Sequence, residues 1–242
     1  MKNSSALDFF AKAVEKGSVS PLTKYNSKQE LVLFDAALIL KYADTTTEMC
    51  DLASGDGSII NQLTNSVKRI VAVEPFKEYS DKIVRGLNVA VFNETIQSFD
   101  SKDSFDLVTF FGGAQYFGAN EIAEIYKKCF HLLKPQGVLI VKNQFGVQED
   151  VVVSGYSEEL KADYFSEYRH LPKEQEILAS VGFVDFEVVD IYPPEHNRWE
   201  NTHFYAIVCK RASSTQLSAV DDARVPSLLE QKHFNSVKSN HG

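Results

Sequence analysis

The stretch "MCDLASGDGSII", Met49–Ile60, joins a short apolar run to an acid, two closely spaced glycines and a second apolar segment. That order predicts a strand that runs into a tight turn and then into a helix. Glycines let a chain reverse sharply and let a ligand come close to the backbone. In an open parallel sheet such a turn sits outside the carboxyl end of a strand, where ligands bind. A dinucleotide fingerprint needs GxGxxG, but the register of Gly55 and Gly57 puts Ile60 at the third glycine. A P-loop needs a GK[ST] ending, which is absent here. Asp51 would also repel a pyrophosphate. The loop suits a neutral or cationic nucleoside ligand.

On either side of this turn the pattern alternates. "RIVAVEP", "NVAVFNE", "FDLVTFFGG" and "KPQGVLIVKNQ" are strand candidates, and "SIINQLTNSV", "FKEYSDKIVRGL" and "NEIAEIYKKCFHLL" are helix candidates. Upstream, "QELVLFDAALILKY" carries apolar residues at helical spacing behind Ser27 as a cap. Strands alternating with helices predict a parallel sheet covered on both faces. Near the end, "FVDFEVVDIYP" and "HFYAIVCK" flank the polar "PEHNRWENT" and predict an antiparallel hairpin. The expected fold is α/β: a Rossmann-like, doubly wound, seven-stranded sheet, mostly parallel, with an antiparallel C-terminal edge hairpin and an N-terminal helical cap. Residues 1–28 are expected to form a lid or cap, 29–211 the main domain, and the polar segment 212–242 a flexible tail.

The chain has 242 residues, 44% of them apolar and 24% charged, which suits a globular protein with a substantial core. A net charge of −8 without a dense Lys/Arg block disfavours a polynucleotide substrate. Cys50, Cys129 and Cys209 lack metal-ligand spacing and are expected as buried, reduced thiols. No metal site is expected. Asp8 interrupts what would be the apolar core of a leader peptide, and no run of 18 apolar residues occurs. A cytoplasmic protein without membrane contact is the expectation.

Glu74 ends the second strand, 19 residues after Gly55, where a carboxylate accepts hydrogen bonds from ribose hydroxyls. Glu94 and Thr95 follow the third strand, where an adenine edge is read. These strand ends together outline an adenosine. In order and interval, "DLASGDG", "VAVEP", "NETIQSF", "FDLVTFFGG" and "HLLKPQGVLIVKNQ" resemble the successive motifs of class I S-adenosylmethionine-dependent methyltransferases, over about residues 29–210. The resemblance implies S-adenosylmethionine as cofactor. It makes Asp51 the motif acid and puts Ala53, Ser54, Gly55 and Gly57 in the loop around the methionine part. It puts Pro75 beside the adenine and Phe111 near the sulfonium. One departure is Ala53, which stands where the loop's first glycine is usual.

The methyl acceptor should meet the cofactor at the same sheet edge. There the fourth strand ends with Gln115 and Tyr116, and the fifth with Lys142, Asn143 and Gln144. The long segment that follows offers Tyr156, Tyr164, Tyr168, Arg169 and His170, and the hairpin loop offers Glu195, His196, Arg198, Trp199 and His203. His170 and His203 are the candidate bases, because imidazole titrates near neutrality, and Tyr116 is the third catalytic candidate. Arg169 and Arg198 could clamp an anionic group on the acceptor. In "SPLTKYNSKQE", Tyr25 is a candidate cofactor contact from the lid. No NPPY-type tetrapeptide follows the fourth strand, which argues against the subgroup that methylates planar amino nitrogens.

The expected activity is methyl transfer to an oxygen or nitrogen of a small polar metabolite, of sugar or nucleotide-sugar type. Two alternatives stand beside it: a non-catalytic domain that binds the same cofactor, and a nicotinamide-dependent oxidoreductase. Glu74 permits the latter; Ile60 and Asp51 oppose it.

Overall fold

Near-continuous apolar runs of four to seven residues mark strands buried on both faces, and these form the centre of the molecule. The structure is a computed structural model that describes residues 3–15, 29–158, 161–197, 199–213 and 215–216. Tyr25 and Arg198, the expected lid after Glu15, and nearly all of the expected tail lie outside the described residues. The described chain to Arg211 forms one compact unit.

Two helices, α1 (Asn3–Glu15) and α2 (Gln29–Ile39), precede the first strand, β1 (Glu48–Leu52). Then come α3 (Ile60–Leu63), β2 (Arg69–Val73), α4 (Lys77–Ser80), β3 (Val89–Phe92) and β4 (Phe105–Phe111). After these follow α5 (Ala119–Leu132), β5 (Leu133–Gly146), β6 (Val151–Ser157), β7 (Ala162–Tyr168), α6 (Leu171–Val181), β8 (Phe183–Asp190) and β9 (Thr202–Arg211). Seven strands form one sheet in the order β3-β2-β1-β4-β5-β9-β8. The first five pair in parallel, and β9 runs antiparallel to both β5 and β8. Connections leave β1 in one direction and β4 in the other, so the crevice at their carboxyl ends is the topological switch point.

The core face shows how the side chains sort. Met49, Leu107, Ile140, Ala206 and Val208 from four strands pack with Leu31, Leu38 and Ile39 of α2 in one buried cluster. On the other face α5 presents Ile122, Ile125, Tyr126 and Cys129 at three- and four-residue spacing, all buried. Its start is held by Glu121, whose carboxylate accepts the Gly118 N–H at 3.0 Å. Cys50, Cys129 and Cys209 are buried and unpaired, and burial pushes the Cys129 thiol up to about 12. No helix among the described residues is long and apolar enough to cross a membrane.

Two parts of the chain differ from what periodicity predicts. "SIINQLTNSV" and "FKEYSDKIVRGL" yield one helical turn each, α3 and α4. Amide side chains account for the early stops by binding backbone groups that a longer helix would pair internally. Asn61 Oδ1 accepts the Val84 N–H at 2.8 Å, and Asn88 Nδ2 donates to the carbonyls of Thr64 and Val67. The second difference is a separate two-stranded antiparallel sheet, β6–β7, in the long segment after β5. It packs against α1 through Phe9 and Tyr164, with ring centroids 5.5 Å apart, and through the Lys12 ammonium, which donates to the Lys161 carbonyl at 3.1 Å.

Candidate active site

The turn after β1 is wound by left-handed residues. Ala53, Gly55 and Gly57 have φ of 59, 57 and 70°. For Ala53 this conformation costs about 1–2 kcal/mol relative to ordinary backbone, so the alanine is held where a glycine would sit without strain. The Ser54 N–H donates to the Val73 carbonyl and the Gly57 N–H to the Ser54 carbonyl, which ties the turn to β2 and to itself. Glu74, at the end of β2, closes the frame: Oε2 accepts the Gly55 N–H and Oε1 the Phe76 N–H, both at 3.0 Å.

The two glycines do different work. A Cβ at Gly55 would meet nothing within 4 Å, whereas at Gly57 it would lie 2.4 Å from Ile83 Cγ1 and 3.2 Å from Ile83 Cα. Gly55 therefore leaves its space to the cavity, and Gly57 lets α3 close against the chain after α4. Gly57→Ala is expected to lower unfolding stability by about 1–3 kcal/mol, through left-handed strain plus overpacking. Gly55→Ala should carry only the backbone strain. Urea unfolding of the two variants without ligand checks the difference.

A cavity of about 310 Å³ opens over this turn at the β1/β4 switch point. Asp51, Ala53, Ser54, Gly55, Glu74, Pro75, Thr95, Phe111 and Tyr116 line it. Ala6, Leu7 and Phe10 of α1 also line it. Phe10 packs edge-on to Tyr116 with centroids 5.2 Å apart, and it also touches Phe76.

Two carboxyls in this wall are poised near neutrality. Burial pushes Asp51 up to about 7, against the hydroxyl of Thr109, which donates to Oδ1 at 2.6 Å, and against the charge of Lys142. Burial likewise pushes Glu74 up to about 7, partly opposed by its two backbone donors and reinforced by the charges of Asp51 and Asp56. A bound cation would draw the proton from either.

Several expected residues lie elsewhere. Gly57 is in the turn and not on the cavity wall, and Glu94 is not on the wall either. The two histidines are not brought to the cavity. His170 Nε2 is 3.1 Å from the Val147 carbonyl, and the His170 N–H donates to Asp150 Oδ1. His203 uses both ring nitrogens, Nε2 toward Asp190 at 2.7 Å and Nδ1 as acceptor from Asn197 Nδ2 at 2.9 Å. Arg169 is 1% exposed and is no clamp for a ligand. Its guanidinium donates to Glu174 and to the carbonyls of Phe117 and Ala114.

One cluster escaped the sequence reading. Lys142, on the cavity wall, is buried against Asp35 at 2.8 Å and the Tyr192 hydroxyl at 2.9 Å, and that hydroxyl donates to Asp35 at 2.7 Å. The ammonium also lies 5.1 Å from the ring centroids of both Phe111 and Tyr192. The available signal was the single acid inside the apolar run "LVLFDAALIL", since a buried carboxylate needs a partner.

The wall fits an adenosyl sulfonium cofactor. Gly55 and Gly112 both have positive φ and open space where a Cβ would be. Ser54 Oγ, Tyr79 OH, Gln115 Oε1 and Gln144 Oε1 are buried without a hydrogen-bond partner, and all four side chains line the cavity. Asp35, Asp51, Asp56 and Glu74 are among the lining residues, a composition that suits a cationic ligand.

Residues 49–137 match the family model described as a methyltransferase domain. No curated protein matches the chain. Among solved structures, the chain is similar to the 1,6-didemethyltoxoflavin-N1-methyltransferase of Burkholderia thailandensis, which holds S-adenosylhomocysteine. The TM-score is 0.65 and the identity 14%, with 84% of this chain and 86% of that one covered. It is also similar to the N-methyltransferase NodS of Bradyrhizobium japonicum, in complex with S-adenosylhomocysteine. There the TM-score is 0.60 and the identity 12%, over 85% of this chain and 99% of that one. A Mesorhizobium loti S-adenosylmethionine-dependent methyltransferase gives a TM-score of 0.59 at 12% identity, over 77% and 100%. The domain match lies on the very strands and turn that build the cavity, and the solved structures share the surrounding fold.

Proposed function

We propose that the enzyme methylates an oxygen or nitrogen of a small polar metabolite, of sugar or nucleotide-sugar type. The observation that carries this reading is that one cavity has two differently equipped sides. Asp51, Gly55, Glu74 and Thr95 come from the β1–β2–β3 side of the switch point, and Gln115, Tyr116, Asn143 and Gln144 from the β4–β5 side. S-adenosylmethionine, when bound, supplies a methyl group on a positively charged sulfur. Glu74 would accept the ribose hydroxyls, Thr95 would stand at the adenine edge, and Asp51 would face the cationic end. Phe111 would flank the sulfur. The amides and aromatic rings of the second side suit a polar acceptor of modest size, and alignment of donor and acceptor there can supply much of the rate. Two of the similar structures are named as N-methyltransferases, which supports nitrogen among the acceptors.

Isothermal titration with S-adenosylmethionine and, separately, NADH tests the reading. Micromolar binding of the first without the second is expected; a preference for NADH would restore the oxidoreductase alternative. The pH dependence follows from the two raised carboxyls. Both must be ionised to serve a cation and two hydroxyls, so binding should release protons and tighten as pH rises. For a group titrating near 7, the ionised fraction at pH 6 is about a tenth of that at pH 8, so each carboxyl contributes about a tenfold change in affinity. Titration in buffers of different ionisation enthalpy counts the protons; uptake in place of release would contradict the assignment.

A further inference from the structure

Two glutamine side chains on the β4–β5 side are fixed in one orientation by their partners. Gln115 Nε2 donates to the Gly112 carbonyl at 2.9 Å, and a carbonyl can only accept. The Gln115 NH2 must therefore face it, leaving Oε1, which has no partner. Gln144 is oriented through a relay. The Thr202 hydroxyl donates its one hydrogen to the Trp199 carbonyl, so its oxygen is left to accept from Gln144 Nε2. Gln144 Oε1 is then also without a partner. Gln115 is 9% exposed and Gln144 2%, and both line the cavity. Buried acceptors left unpaired are costly, so the site is built for a ligand that brings hydrogens to both.

We infer that Gln115 and Gln144 form an acceptor subsite for a primary amine, each amide oxygen taking one N–H and the nitrogen lone pair being left to face the methyl group. This rests on the reading of the cavity as a methyl-transfer site. A hydroxyl or a secondary amine has one hydrogen to give and would leave one oxygen unpaired, a penalty of about tenfold to a hundredfold in binding. In the reaction the nitrogen lone pair forms the N–C bond as the C–S bond breaks with its electrons remaining on sulfur. The positive charge passes to nitrogen, and the secondary ammonium loses its proton to water after release. The neutral product has a single N–H, so the enzyme favours one methylation over two.

Sinefungin, the cofactor analogue that carries a primary amine where S-adenosylmethionine carries its methyl sulfonium, reads the subsite without turnover. The measured quantity is its affinity relative to S-adenosylhomocysteine, by titration on the full chain. The unsubstituted enzyme is expected to prefer sinefungin by about tenfold or more. In the Gln115→Leu/Gln144→Leu double variant that ratio is expected to fall toward one. No preference in the unsubstituted enzyme, or a preference that survives the double substitution, would overturn the inference. Failure of S-adenosylhomocysteine itself to bind would overturn the cavity reading, and the inference with it.

Discussion

Replacing Arg169 with alanine is expected to lower the melting temperature by about 6–20 °C, the largest stability loss of any single substitution argued for this chain. Arg169 sits where β7 meets α6, 1% exposed, and its guanidinium ties α6 to the turn at 114–117. Nε and Nη2 bind Glu174, Nη1 donates to the Phe117 carbonyl at 2.6 Å, and Nη2 donates to the Ala114 carbonyl at 2.9 Å. Glu174, fully buried, also accepts from the Tyr126 hydroxyl of α5. Alanine at 169 would leave a carboxylate unpaired in the interior and two carbonyls without donors, and breaking such a pair costs about 3–5 kcal/mol. The double variant Arg169→Met/Glu174→Met removes both charges and should recover much of the loss, because apolar pairs replace buried ion pairs with little penalty. Differential scanning calorimetry of the two variants decides the matter. A double variant as unstable as Arg169→Ala would show that the carbonyls of the turn at Ala114–Tyr116, and not the ion pair, carry the effect. Either way Gln115 and Tyr116 lie on that turn, so Arg169, expected as a clamp for an anionic group, instead holds part of the cavity wall.

That reversal shows which features a sequence exposes. The order of β1, β2, β3, β4 and β5 and the closing β8–β9 hairpin were legible, because period, turn residues and direction are local properties. So was the strand-end placement of Asp51, Gly55 and Glu74, which the fold brings to one cavity. Helix length was less legible: Asn61 and Asn88 stop α3 and α4 through bonds to segments about 20 residues away. The β6–β7 hairpin, with "VVVSGYS" and "ADYFSEY" as its strands, was present in the alternation but was hidden inside a segment read only for its titratable residues. His170 and His203 fit the chemistry by residue type, yet type does not say which way a side chain turns. In the fold their rings engage Val147, Asn197 and Asp190. The Asp35–Lys142–Tyr192 cluster joins positions 107 and 157 residues apart, a separation at which no local pattern speaks.

Glu74→Ala is expected to weaken S-adenosylhomocysteine binding by about a hundredfold or more. Two charge-assisted hydrogen bonds to ribose hydroxyls are worth about 1.5–3 kcal/mol each, and a tenfold change in affinity corresponds to about 1.4 kcal/mol. The difficulty is that Glu74 also holds the Gly55 and Phe76 N–H groups, so the substitution could act by loosening the loop. A change on the ligand side separates the two. If Glu74 binds the ribose, the unsubstituted enzyme should reject the 2′-deoxy analogue of S-adenosylhomocysteine by about tenfold or more, and Glu74→Ala should bind the two alike. If the residue acts only through the loop, discrimination against the deoxy ligand would persist in the variant at reduced overall affinity. The pH profile adds an independent constraint. Glu74 is held near 7 by burial, so its share of the affinity should be present above pH 7 and be lost as pH falls below it. In Glu74→Ala that share of the proton release should vanish, leaving the one attributable to Asp51. A variant that keeps the full proton release would place the titrating group elsewhere on the wall, and the ribose assignment of Glu74 would fall with it.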